Sequence, residues 1–240
     1  MVKIVADPGH GGMDPGAVGN DLLEKDLNWV IANKVSGILK QYDVEFIIVQ
    51  PSTTNPESSS GDELNLPPAE AVKLKADYYL SFHVNSGGGT GFESYVHPDA
   101  RGTEADRIRV IIHDSVMDYL KEFDLADRGK KYANFAVLRL TTNAGIPSLL
   151  LENLFIDNLK DAALLKNEDF LDGLAAAIVN GLVGAFNLNK KITGPRVVAK
   201  GMVFEGLMVG DRVFAPVRAL LEALGYTVEW DGETQTVTIT

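Results

Sequence analysis

The sequence predicts an α/β fold. It reads as a layered domain with a largely parallel twisted sheet flanked by helices, plus a small C-terminal ββαββ domain. Three observations carry this. Short apolar runs ending at Gly, Pro or polar residues alternate with segments whose apolar positions recur at helical spacing. The runs are continuous rather than alternating, as expected for strands covered on both faces. After Asn187-Leu188-Asn189-Lys190-Lys191-Ile192-Thr193-Gly194-Pro195 the pattern changes to short strands around one short helix. The expected layout is therefore a first domain over 1–188, a linker over 189–195 and a second domain over 196–240.

Val2–Ala6 is an apolar run that stops at Asp7-Pro8-Gly9, so it predicts a buried strand feeding a glycine-rich loop. Leu27, Val30, Ile31, Val35, Ile38 and Leu39 lie on one helical face and predict a helix from Lys25 to Gln41. Val44–Val49 is a second strand. Residues 51–66 predict a polar loop, and Pro67–Lys75 a short helix with Pro near its start. Asp77–Phe82 and Gly91–Val96 predict a third and a fourth strand.

Thr103–Phe123 predicts a long helix with Ile108, Ile111, Ile112, Tyr119 and Phe123 inward. Phe135–Leu140 and Ser148–Glu152 predict two further strands, and a last helical region ends near Phe186. In the second domain, Met202–Phe204 and Asp211–Phe214 predict strands, and Pro216–Leu224 a helix closed by Gly225. Tyr226–Trp230 and Thr236–Thr240 flank Asp231-Gly232, a hairpin signal. Tyr226 and Trp230 are expected in the hairpin core.

Composition narrows the function. The chain has 22 Lys and Arg against 33 Asp and Glu, a net charge of −11. Nucleic-acid binding needs clustered cations to neutralise phosphate, so none is expected. No stretch approaches about 20 apolar residues, so no stable membrane insertion is expected. The N-terminus MVKIVADPGHGG shows no charged segment followed by an apolar one. A start in the cytoplasm without a signal peptide is the expectation. With no cysteine, any metal must take His, carboxylate or water ligands.

There are four histidines. His10 follows the first strand, inside DPGHGGMDPGAVG, and His83 follows the third, in SFHVNS. Glu24 opens the first helix. Glu152 ends SLLLE, where a carboxylate after an apolar run is costly unless it is ligated, paired or catalytic. Two imidazoles and one carboxylate leave an open position on zinc, where a water molecule is activated. Glu152 is the candidate general base and acid. Residues so far apart form no local motif, and histidines satisfied by ordinary hydrogen bonds are the competing reading. His97 is expected at a strand end on the surface, and His113 as a partly exposed or satisfied helix residue. Asp14 satisfies loop amides or supports a ligand. Asp26 and Asn28 solvate or cap the helix. Asn85 anchors the loop after His83 or touches substrate. Arg139 forms an ion pair or binds a substrate carboxylate.

The segments VADPGHGGMDPGAVG, LLEKDLNW, ADYYLSFHVNSGGGTGFESYV, LADRGKKYANFAVLR and IPSLLLENLFIDN carry a family resemblance. Over residues 1–188 the sequence resembles the zinc-dependent N-acetylmuramoyl-L-alanine amidases of the amidase-3 type, among them autolysins and phage endolysins. The resemblance implies one Zn2+ on His10, Glu24 and His83, with Glu152 catalytic. It implies hydrolysis of the bond between muramic acid and the L-alanine of the peptidoglycan stem peptide. Bacterial peptidoglycan is then the expected partner, with no protein partner evident, and release to the wall by a holin-type or lysis-dependent route. The Gly87–Val96 stretch leans towards the phage relatives. A zinc peptidase and a non-catalytic wall-binding protein are the alternatives. The sequence departs from the family at Leu140, at Leu154 and across residues 51–66. Residues 196–240 resemble the small domain named for the N-terminal region of copper amine oxidases. They hold no His or Cys, so the expectation is a wall-targeting or spacer module.

Overall fold

The computed structural model describes residues 1–49, 60–191, 194–209 and 211–240, with the backbone alone for 60–64. The chain divides into two compact units, Met1–Asn189 and Lys190–Thr240.

In the first unit, β1 (Val2–Pro8), β4 (Val44–Ile48), β5 (Tyr78–Asn85), β6 (Phe92–Val96), β7 (Asp127–Tyr132) and β8 (Ser148–Phe155) form one sheet in the order β4-β1-β5-β8-β6-β7. The first four in that order run parallel. β6 is antiparallel to β8, and β7 is parallel to β6. The short pair β2 (Val18–Gly19) and β3 (Leu22–Leu23) leads into α1 (Glu24–Leu39).

Alternating strand residues divide the core into two layers. Ile4, Ala6, Tyr78, Leu80, Phe82, Leu149 and Leu151 face α1, α3 (Glu104–Leu120) and α6 (Glu168–Phe186). Val5, Tyr79 and Leu150 face Ala71 of α2 (Ser60–Leu74) and Val137 and Leu138 of α4 (Ala136–Asn143). Helices on both faces explain why the strands read as continuous apolar runs. α6 packs closely on α3, since a Cβ on Gly181 would lie 2.7 Å from the Ile112 backbone. α5 (Leu159–Leu165) precedes α6.

Several expectations change. Phe135–Leu140 lies at the start of helix α4 rather than in a strand, and an additional strand, β7, precedes it. The repeated polar residues of DRGKKY conceal a strand at the sheet edge, where one side is solvated. The loop expected over 51–66 lies partly outside the described residues. Its described part, 60–66, belongs to α2, with Pro67 and Pro68 inside that helix rather than at its start. Both prolines remove helical N–H donors, so packing outweighs propensity here. His83 and Glu152 lie within β5 and β8, not at the strand ends. Among the described residues α6 alone is long and apolar enough to cross a membrane, contrary to the expectation of no such stretch. Its buried Leu171, Leu174, Ile178 and Leu182 belong to the core, the mark of a central helix.

Among its described residues the second unit holds three two-stranded antiparallel pairs. These are β9 (Arg196–Ala199) with β10 (Met202–Glu205), β11 (Leu207–Val209) with β12 (Arg212–Phe214), and β13 (Val228–Asp231) with β14 (Thr236–Ile239). Helix α7 (Val217–Leu224) precedes the last pair and ends on left-handed Gly225. Four strands rather than two come before the helix. Val228 is the one large apolar side chain buried there among the described residues. Tyr226 and Trp230 are exposed, contrary to the expected hairpin core.

Candidate metal centre

Gly9 follows β1 and donates its N–H to the Phe82 carbonyl at 2.9 Å, beside β5. The chain then turns at His10, whose φ of +67° lies in the left-handed region. A non-glycine residue held there marks a constrained position. Paired backbone hydrogen bonds between Gly11 and Asp14 close the turn. The loop returns to α1, whose first residue is Glu24. A carboxylate in the first turn meets the positive end of the helix.

His10, Glu24 and His83 bring one ligand atom each to within 4.8 Å of one another. His10 Nε2 lies 3.2 Å from Glu24 Oε2, and His83 Nδ1 lies 3.0 Å from Glu24 Oε1. Glu24 is fixed from behind by the N–H groups of Ala17 at 2.8 Å and Val84 at 3.1 Å. Asp14 Oδ2 meets His10 Nδ1 at 2.8 Å, while Asp14 Oδ1 accepts from Gly16 at 2.9 Å. A carboxylate on the far ring nitrogen orients the imidazole and fixes its tautomer. Asp14 therefore satisfies a loop amide and also holds the His10 ring.

Glycines make room for this packing. A Cβ on Gly9 would fall 2.1 Å from the His83 ring. One on Gly16, where φ is +66°, would fall 2.6 Å from Glu24 Oε2 and 2.7 Å from the His10 ring.

The electrostatics are those of a tightly coupled cluster. Burial pulls the His10 pKa down, but Glu24 and Asp14 override it and push it up to about 9. Burial also opposes the charged form of His83, and hydrogen bonding to Glu24 with the nearby Glu152 charge raises its pKa overall. Burial disfavours an ionised Glu24, yet its two histidine partners hold it far below the usual carboxylate range. An ionised, anchored carboxylate between two imidazoles fits a divalent ion with mixed nitrogen and oxygen preference.

Glu152 on β8 is the register partner of His83 on β5. Directly opposed residues share a sheet face, so both project on the same side. Burial, followed by the repulsion of Glu24 and Glu93, outweighs the nearby histidines and pushes the Glu152 pKa up to about 7. Immediately beyond, two residues on β5 oppose three on β8, a bulge in the ladder. Leu154 lies in this bulge with φ of +69°, fully buried. This position is one of the departures noted in the sequence. A leucine here carries left-handed strain that a glycine would not.

Glu93, unnoticed in the sequence, is the antiparallel partner of Glu152 and is buried. Burial opposes its ionisation, but Lys131 and Arg128 win and lower its pKa. The signal was present, because GFESYV sets a carboxylate in an apolar strand just as SLLLE does. Asp7, also buried, is hydrogen-bonded by Tyr79 and by Ser81, the latter at 3.0 Å.

The remaining candidates have contacts of their own. Asn85 donates to Glu93 and accepts from Ser86, anchoring its loop. Exposed Arg139 on α4 donates to Asn134 and forms no ion pair among the described residues. Asn28 is buried and ties α1 to the Gly9 carbonyl at 2.9 Å, rather than capping the helix. His97 is buried against Asn134, not on the surface. His113 is buried and satisfied by Ser94 and Asp127.

Both units match known protein families. Residues 4–183 match the N-acetylmuramoyl-L-alanine amidase family, and residues 198–240 match the copper amine oxidase N-terminal domain. The chain is 46% identical over 190 residues to the sporulation-specific N-acetylmuramoyl-L-alanine amidase of Bacillus subtilis (strain 168), covering 79% of this chain and 70% of that protein. It is 37% identical over 198 residues to the endolysin of Bacillus phage SPP1, covering 81% and 70% respectively. The catalytic domain of CwlV, an N-acetylmuramoyl-L-alanine amidase from Bacillus (Paenibacillus) polymyxa var. colistinus, superposes with a TM-score of 0.68 at 32% identity. That match covers 79% of this chain and all of the other. Family, fold and identity agree over the unit that holds the His–Glu–His cluster: the chain belongs to the N-acetylmuramoyl-L-alanine amidases, enzymes of peptidoglycan hydrolysis.

Proposed function

We propose that the chain hydrolyses the amide between the lactyl group of N-acetylmuramic acid and the L-alanine of the stem peptide, with one zinc ion held by His10, Glu24 and His83. The observation that carries this is the convergence of those three ligand atoms within 4.8 Å, one strand away from Glu152. Zinc, when bound, supplies a Lewis acid that polarises the amide carbonyl and lowers the pKa of water.

The protein's own groups do the rest. Asp14 holds His10 with its Nε2 turned towards Glu24. Glu152 takes the proton of the attacking water and passes it to the alanine nitrogen as the amide breaks. Its raised pKa, about 7, suits a group that must both accept and release a proton near neutrality.

We assign the amidase to residues 1–188, a linker to 189–195 and a wall-targeting or spacer module to 196–240. The place of action is bacterial peptidoglycan. The 46% identity to a sporulation amidase, against 37% to a phage endolysin, supports release by lysis of a sporulating cell over a holin-type route. Digestion of purified wall, read by mass spectrometry, tests the reaction. The expected products are stem peptides with a free L-alanine amino terminus and an uncut glycan. A new amino group at any other residue overturns the assignment in favour of a peptidase.

A further inference from the structure

A row of side chains crosses the sheet. Gly9 lies beside His83, His83 is paired with Glu152, and Glu152 with Glu93. The row continues onto β7, where Phe92 opposes Asp127 and Ser94 opposes Lys130, so Arg128 and Gly129 stand across from Glu93. Glu93 Oε2 receives both Arg128 Nε, at 3.0 Å, and Lys131 Nζ.

This is one carboxylate with two cations. The Glu93 side chain is 3% exposed, while Arg128 and Lys131 are 34% and 37% exposed. The group is left net positive in a chain of net charge −11. Arg128 spends its Nε on Glu93 and lays its guanidinium 4.7 Å over the Phe155 ring. Its two terminal nitrogens make no hydrogen bond among the described residues, and together they form a fork suited to a carboxylate.

The spacing suits the substrate. Strands lie about 4.8 Å apart, so β7 is roughly 10 Å from β8 and Glu152. An extended peptide advances about 3.5 Å per residue. A stem peptide leaving the scissile amide towards β7 therefore brings its second residue within reach of these long side chains.

We propose that Arg128 and Lys131 form the subsite for the carboxylate of the residue after L-alanine in the stem peptide, with Glu93 as the positioning residue that holds them. This rests on the amidase reading and names the group by which that site selects its substrate.

The test uses two muramoyl tripeptides that differ only at the second residue, one with a free α-carboxylate and one with a carboxamide. The zinc-loaded wild type is expected to favour the free acid by about tenfold in kcat/KM, carried by KM. Arg128→Gln and Lys131→Gln each lower that ratio about threefold or more, and Lys131→Arg retains it. Equal kcat/KM on both substrates with the wild type overturns the subsite while the amidase reading stands. An unchanged ratio in folded glutamine variants overturns it equally. If neither substrate is cut, the amidase reading falls and the subsite with it. Should a glutamine variant fail to fold, the wild-type comparison and Lys131→Arg decide the matter.

Discussion

His83 on β5 and Glu152 on β8 face each other as partners in a parallel ladder, so the proposed ligand and the proposed proton-transfer group are fixed by one pair of strands. Rigid strands set their separation, and the loops contribute only His10 and the approach to Glu24. Glu152→Gln keeps the shape and removes the base. The expected result is full zinc retention with kcat lowered about a hundredfold to ten-thousandfold. Near wild-type turnover would contradict the role. His10→Ala and His83→Ala are expected to lose zinc as well as activity, measured as metal content per chain after gel filtration.

The Glu152 carboxyl also predicts a pH dependence of stability. Its folded-state pKa of about 7 lies above the ordinary 4.5. Between these values the unfolded chain ionises while the folded one stays protonated. Stability is therefore full below the ordinary value and falls as pH rises to about 7. At roughly 1.4 kcal/mol per pKa unit, the cost is on the order of 3 kcal/mol. Metal-free protein is expected to melt lower at pH 8 than at pH 5, and Glu152→Gln to flatten that slope. Parallel slopes in the two proteins would contradict it.

Gly9 and Gly16 are predicted to be intolerant of a methyl group. A Cβ at Gly9 reaches 2.1 Å from the His83 ring, and at Gly16 it meets Glu24 and His10 in a left-handed backbone. Each alanine variant displaces a ligand while removing none. Zinc affinity is expected to fall about tenfold or more in a chelator competition. Unchanged affinity in both would show that the loop relaxes freely.

Asp14→Ala removes the carboxylate on His10 Nδ1 and the acceptor for the Gly16 N–H. Zinc affinity is expected to drop about 10- to 100-fold, with His10, Glu24 and His83 still present. Retained affinity would reduce Asp14 to a loop anchor.

Leu154→Gly sets two effects against each other. Relief of the left-handed backbone gains about 1–2 kcal/mol, and loss of a fully buried leucine costs about 2–5 kcal/mol. The larger effect wins, so chemical denaturation is expected to show net destabilisation of about 1–3 kcal/mol. A stabilised variant would mean that backbone strain dominates at this bulge.

Much of this was legible in the chain because apolar runs report buried strands directly. Val2–Ala6 and Ser148–Glu152 needed no tertiary information. The segment FAVLRL did not yield to the same reading. Its apolar residues continue into a helix with Val137 and Leu138 on one face, and a short apolar run does not separate the two states. DRGKKY hid β7 because an edge strand can be polar. Of the four site candidates, His10, His83 and Glu152 were legible as polar residues ending apolar runs, and Glu24 as the residue that opens the first helix. Glu93 and its two cations were not, because a carboxylate's partners are set by register across three strands. Burial of His97 and Asn28 was hidden for the same reason: their partners Asn134 and Gly9 are close in space but not adjacent in sequence.

X-ray diffraction from zinc-loaded crystals, collected on both sides of the zinc absorption edge, tests the central claim most directly. A single anomalous peak is expected within bonding distance of His10, Glu24 and His83, with Glu152 facing its open side. A peak at other residues, or none at the triad with zinc in excess, would contradict the account.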